Sequence, residues 1–151
     1  MYIAPNNFKI LMVCLGNICR SPLAEGIMRH LAKQQHLNWE IASAGTGNWH
    51  IGKAPDKRSI AAAKALGYDI SKQRAQQFNH SMFAQYDLIL VMDSNNLSDL
   101  QQLAQTDSER QKVKLFLSEN DVIDPYWDNA LFAPVCNQVE ERCKEIIKQL
   151  S

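Results

Sequence analysis

The feature that most constrains the fold is a change of period within one short stretch, "FKILMVCLGNICRSPLAEGIMRHL". Phe8 to Cys14 is an almost unbroken apolar run of strand length, so both faces of that strand need cover, as in a buried parallel sheet. After a six-residue interval the spacing turns helical. Ser21 is read as the cap, Pro22 as the first helical residue, and Leu23, Ile27 and Leu31 as one apolar face. Strand, tight loop and helix follow one another without a linker.

The same alternation recurs. "WEIAS" (Trp39 to Ser43) is read as a second strand, followed by a glycine-bearing loop and a helix from Pro55 to Leu66 that stops at Gly67. "YDLILVMD" (Tyr86 to Asp93) is a third strand, followed by a helix that Ser94 caps and that carries Leu97, Leu100 and Leu103. "VKLFL" (Val113 to Leu117) is a fourth. Phe132, Val135, Val139, Cys143, Ile146 and Leu150 then draw one stripe on a closing helix. Strands alternating with helices predict an α/β fold: a three-layer sandwich with a four-stranded parallel sheet and helices on both faces.

At 151 residues and 46% apolar composition, one domain spanning residues 1–151 is expected. No stretch approaches the length of a membrane span. The N-terminal "MYIAPNNFKILMV" lacks the charged head and cleavage site of a secretory signal, so the expected location is cytoplasmic, away from membranes. Sixteen basic and sixteen acidic side chains balance, which speaks against nucleic acid as a partner and requires any bound anion to be held locally. The four cysteines, Cys14, Cys19, Cys136 and Cys143, form no C-x-x-C pair and are expected to be reduced.

Ligands of open α/β sheets sit beyond the carboxyl ends of the strands. Loops leaving the first, second and fourth strands carry "CLGNICRS", "GNWHIG" and "DPYW", which could therefore meet. A C-x5-R spacing is weak evidence alone, but here it lies between a strand and a helix. Gly16 would permit a tight bend and Asn17 could tie the loop to itself. Successive N–H groups turned inward, with the dipole of the next helix, would cradle a phosphoryl group. That field would lower the pKa of Cys14 and make it a nucleophile. Arg20 would hold two phosphoryl oxygens as a planar fork, and the Ser21 hydroxyl could donate to the sulfur.

A phenolic leaving group also needs a proton donor. In "VIDPYWDN", Pro125 keeps Asp124 out of helix and beside two aromatics whose partial desolvation would favour its protonated form. Asp124 is the candidate acid.

Taken together these residues resemble the low-molecular-weight protein tyrosine phosphatases over essentially the whole chain. The matching segments are Val13 to Pro22; Ser43 to Thr46 with Trp49, Gly52, Pro55 and Asp56; Met92-Asp93; and Asp124 to Tyr126. The resemblance implies hydrolysis of phosphotyrosine and small aryl phosphates through a phosphocysteine on Cys14, with Arg20 binding phosphate and Asp124 acting first as acid and then as base. It implies that Asn17 braces a phosphate loop that also includes Leu15, Gly16, Ile18, Cys19 and Ser21. Leu15, Ile18, Trp49, Tyr126 and Trp127 would wall the cleft. No metal or organic cofactor is implied. The implied partners are phosphotyrosine proteins or peptides, a tyrosine kinase among the candidates, with inorganic phosphate or another oxyanion in the loop.

Two departures stand out. Where relatives carry a His that bonds the loop Asn, this chain has Gln73, so that bond is either lost or made by Gln73. Asp128 replaces a glycine and puts a charge at the mouth, which would disfavour acidic peptides. Among alternatives, a thioredoxin-coupled arsenate reductase would need two further redox cysteines ahead of Asp124, and there are none. Ile18, where arginine phosphatases carry Thr, favours tyrosine. A phosphotyrosine-binding module without turnover would have no use for Cys14, Arg20 and Asp124 together. Cys19 could capture an oxidised Cys14 as a disulfide. Cys136 and Cys143 are expected in the core. The four histidines form no ligand set, although His50 could touch substrate.

Overall fold

The computed structural model describes residues 3–151; Met1 and Tyr2, the start of the stretch read for a secretory signal, lie outside it. The elements are β1 (Lys9–Cys14), α1 (Arg20–Gln34), β2 (Glu40–Gly45), α2 (Lys57–Ala65), α3 (Met82–Gln85), β3 (Leu88–Val91), α4 (Ser94–Leu103), α5 (Asp107–Gln111), β4 (Val113–Leu115), a 3-10 turn (Asn129–Leu131) and α6 (Phe132–Leu150). All strand pairs are parallel and the four-stranded order is β2-β1-β3-β4. The chain leaves β1 for one neighbour and later returns to the other side, so the order reverses at the carboxyl end of β1. Cys14 is the last residue of that strand.

Alternation along β1 divides the core. Ile10, Met12 and Cys14 pack in the cluster that holds the buried faces of α1 and α6, whereas Leu11 and Val13 pack with Phe83, Ile89, Val91 and Leu100 on the other face. Both faces are covered, which is why β1 reads as a continuous apolar run. No helix among the described residues is long and apolar enough to cross a membrane.

Helix ends depart from the sequence reading in three places. The N-cap of α1 is Cys19, without a side-chain cap; Ser21 is already inside the first turn, its hydroxyl turned into the loop. The helix expected from Pro55 begins after Asp56, whose carboxylate accepts the Arg58 N–H. The α4 cap is Asp93 rather than Ser94: Asp93 accepts from the Asn96 N–H while the Asn96 side chain accepts from the Asp93 N–H. Ser94 instead donates both its N–H and its hydroxyl to Asp121. The stop after α2 is as expected: Gly67 sits at φ +94°, a conformation that other residues adopt only with strain.

Candidate active site

β1 delivers Cys14 to the sheet's carboxyl edge, and α1 begins six residues later with Arg20. The turn between them depends on Asn17, whose φ of +58° is left-handed, a region Asn tolerates better than most residues. Gly16, expected to supply the bend, has no positive φ; its missing side chain leaves room for the His50 ring, 3.0 Å from where a Cβ would stand. Gly45, opposite Cys14 in β2, is needed for close approach, since a Cβ there would meet the Leu15 carbonyl oxygen at 2.8 Å.

The sulfur is held by a directed chain of hydrogen bonds. Asn17 Oδ1 accepts the Gln76 N–H at 3.0 Å, which turns the Asn17 amide nitrogen toward two hydroxyls. That nitrogen donates to Ser21 Oγ at 2.8 Å and to Ser43 Oγ at 2.9 Å. With an N–H already on its oxygen, Ser21 has its own proton free for Cys14 Sγ, 3.0 Å away. The Asn17 N–H donates to the same sulfur at 3.3 Å. Behind them Ser43 donates to the buried Glu25 carboxylate at 2.5 Å, and Arg29 donates to Glu25 at 2.6 Å and to the Ile41 carbonyl at 2.7 Å. Gln73 does not replace the missing His. It donates to the Pro22 carbonyl, and the backbone of Gln76 serves Asn17 instead.

Arg20 is 3% exposed. Its Nη1 donates to Asp93 at 2.8 Å and to the Val122 carbonyl at 2.9 Å, and its Nη2 lies 3.9 Å from Asp124 Oδ2. Burial works against its charge, but the Cys14 sulfur, the bond to Asp93 and the Asp124 carboxylate outweigh it and hold the guanidinium above its ordinary pKa. Asp93 therefore caps α4 with one oxygen and orients Arg20 with the other. The loop N–H groups of Leu15, Gly16, Ile18 and Cys19 have no acceptor among the described residues.

These groups open on a cleft of about 270 Å³ with the buried Cys14 and Arg20 at its base and the part-exposed Asp124 also lining it. Leu15, Trp49, Tyr126 and Trp127 form its walls, with Gly16, Cys19 and His50 also lining it. Ile18, expected on a wall, is absent from the lining: it is half-buried, drawn toward α2 by the Asp56 N–H that donates to its carbonyl at 2.8 Å. Asp124 accepts the Tyr126 N–H at 3.1 Å and stays 39% exposed, so the desolvation expected from its aromatic neighbours is only partial. Trp127 is 86% exposed. Asp128 accepts the Ala130 N–H as cap of the 3-10 turn.

Cys19 is buried at the start of α1, and burial first, then the negative charges of Asp56, Cys14 and Asp124, push its thiol up to about 12. Cys136 and Cys143 are buried on α6, as expected. His30 packs edge-on against Tyr68 and His80 pairs with Glu109, leaving His50 as the histidine at the cleft.

The parts that sequence reasoning missed are Asp93 and the Glu25–Ser43 support. Asp93 stands in the sequence only as part of the Met92-Asp93 match, and nothing local points to its bond to Arg20.

The family model described as low molecular weight phosphotyrosine protein phosphatase matches residues 9–151. The low molecular weight phosphotyrosine protein phosphatase of Sus scrofa is 35% identical over 151 residues, covering 94% of this chain and 95% of that protein. Among solved structures, a protein tyrosine phosphatase from Entamoeba histolytica with Hepes in its active site superposes with a TM-score of 0.88 at 31% identity, covering 95% of this chain and 96% of that one. Vibrio vulnificus Wzb in complex with benzylphosphonate gives 0.86 at 34% identity, covering 97% and 100%. The chain belongs to the low molecular weight phosphotyrosine protein phosphatase family.

Proposed function

We propose that this protein hydrolyses phosphotyrosine in proteins or peptides, and small aryl phosphates, through a phosphocysteine on Cys14. One observation carries the reading: a sulfur that accepts the Asn17 N–H and lies at hydrogen-bond distance from the Ser21 hydroxyl shares a cleft with a buried, charged Arg20 and a carboxyl group, Asp124. The sulfur attacks phosphorus while the Arg20 fork and the loop N–H groups take the equatorial oxygens. Asp124 gives a proton to the departing phenolate oxygen, then takes one from water as that water displaces the sulfur and releases phosphate. In that second step Ser21 stabilises the leaving thiolate. The apolar walls suit an aryl ester, and the benzylphosphonate bound by the Vibrio relative supports an aryl phosphate as the ligand class.

The reductase reading lacks its cysteines, since Cys136 and Cys143 lie on the buried face of α6, packed in the core. Steady hydrolysis of an aryl phosphate that vanishes in Cys14→Ser is the expected result, and it would exclude a binding module without turnover. Persistence of that hydrolysis in Cys14→Ser would overturn the proposal.

A further inference from the structure

The segment that presents Asp124 has little structure of its own. Residues 116–128 contain no helix or strand. The near end is fixed, because the Val122 N–H donates to the Met92 carbonyl at 2.7 Å and its carbonyl accepts from Arg20. Beyond it, across residues 123–131, the hydrogen bonds arriving from elsewhere among the described residues all come from one side chain, Arg58 of α2. Arg58 Nη1 donates to the Tyr126 carbonyl at 3.0 Å and to Asn129 Oδ1 at 2.6 Å. The guanidinium also lies 5.3 Å from the centre of the Tyr126 ring and 4.4 Å from that of Phe132.

The other edge of the same guanidinium faces the cysteine loop. Nε and Nη2 donate to the two oxygens of Asp56 at 2.9 and 2.8 Å, and the Asp56 N–H donates to the Ile18 carbonyl at 2.8 Å. A continuous path thus runs from Ile18 through Asp56 and Arg58 to Tyr126, whose own N–H holds Asp124. A planar fork with donors on two edges suits this task, and a lysine ammonium could not reproduce it.

We infer that Arg58 is a positioning residue for Asp124, setting where the acid stands relative to the Cys14 loop by bridging Asp56 to the Tyr126–Asn129 segment. The inference rests on the proposed role of Asp124 as general acid. Arg58 touches no reacting atom and acts through the Tyr126 peptide.

The test is a leaving-group comparison in kcat/KM, which reports the first chemical step. Positioned acids typically contribute on the order of 10²–10⁴ in rate, and a displaced acid forfeits part of that. Arg58→Met is expected to lose about ten- to a hundredfold with phenyl phosphate and less than about threefold with an activated nitrophenyl ester. Its inhibition constant for inorganic phosphate should stay at the wild-type value, which shows the cysteine loop to be intact. In an Asp124→Ala background, Arg58→Met should add no further leaving-group dependence. Should Arg58→Met not fold, Arg58→Lys is read in the same way, with a smaller loss of the same selectivity. Equal losses with both esters, or losses that add to those of Asp124→Ala, overturn the positioning role. If Asp124→Ala itself shows no leaving-group dependence, the acid assignment has failed, and the clamp fails with it.

Discussion

Asn17 Oδ1 accepts the backbone N–H of Gln76 at 3.0 Å, and this bond turns the Asn17 amide nitrogen toward the hydroxyls of Ser21 and Ser43. Replacing Asn17 should therefore do two separable things. Asn17→Ala puts a residue that tolerates a left-handed φ less well than Asn at that position and strips the buried hydroxyls of Ser21 and Ser43 of their donor, so a loss of about 2–4 kcal/mol is expected. For a chain of this length that lowers Tm by about 5–15 °C. Asn17→Gly removes the amide without the backbone strain. It should recover part of the stability while leaving turnover as low as in the alanine variant, measured by thermal melts beside steady-state kinetics. Full recovery of turnover in Asn17→Gly would mean that the amide bonds do not matter to the sulfur.

Arg20 has its Nη1 committed to Asp93 and Val122, which fixes the plane of the guanidinium. Arg20→Lys keeps a charge but loses that plane. Removing a preorganised donor to transition-state charge costs about 10²–10³ in rate, and a loss of that size is expected in kcat/KM with any aryl phosphate. Near-normal turnover in the lysine variant would show that charge alone suffices.

Oxidation of Cys14 by peroxide should be followed by a slow, pH-dependent crosslink to Cys19. Cys19 attacks as the thiolate, and burial, reinforced by Asp56, pushes its pKa up to about 12, so little thiolate exists at neutrality. Below that pKa the reactive fraction rises with pH. The rate of disulfide formation after a pulse of peroxide should climb about tenfold per unit between about pH 7 and 9, followed by mass spectrometry of quenched samples. A flat profile would show that Cys19 is not the limiting nucleophile.

Asp56 is held below its ordinary pKa of 3.8, chiefly by the hydrogen-bonded Arg58 side chain, with burial opposing. A depressed folded pKa stabilises the protein above the unfolded value, and that contribution disappears as pH falls through the folded value. The stability gap between wild type and Asp56→Asn should therefore be full at about pH 5 and shrink on acidification below about pH 4, read from denaturant melts. A gap that widens in acid would contradict the ion pair.

The sheet and its order of elements were legible because β1 and β3 are covered on both faces and so read as apolar runs. Cys14, Arg20 and Asp124 could be read from the loops beyond the strand ends, which meet in one cleft, whereas Trp49, Tyr126 and Trp127 are expected there only from the family resemblance. What local pattern could not supply was partnership at a distance: Asp93 lies 73 positions from Arg20, and Gln76 lies 59 from Asn17. Local sequence alone points to Ser94 as the cap of α4, and only the bonds to Asn96 and Asp121 show that Asp93 takes that place. The short α3 and α5, four and five residues long, carry too few turns to show a period.

The central claim is that turnover passes through phosphate bonded to the Cys14 sulfur, and rapid acid quench during hydrolysis of an aryl phosphate tests it most directly. Peptide mass spectrometry should then find a single phosphate on Cys14, which disappears once substrate is exhausted and never forms in Cys14→Ser. Continued turnover with Cys14 unmodified at every quench time would contradict the account.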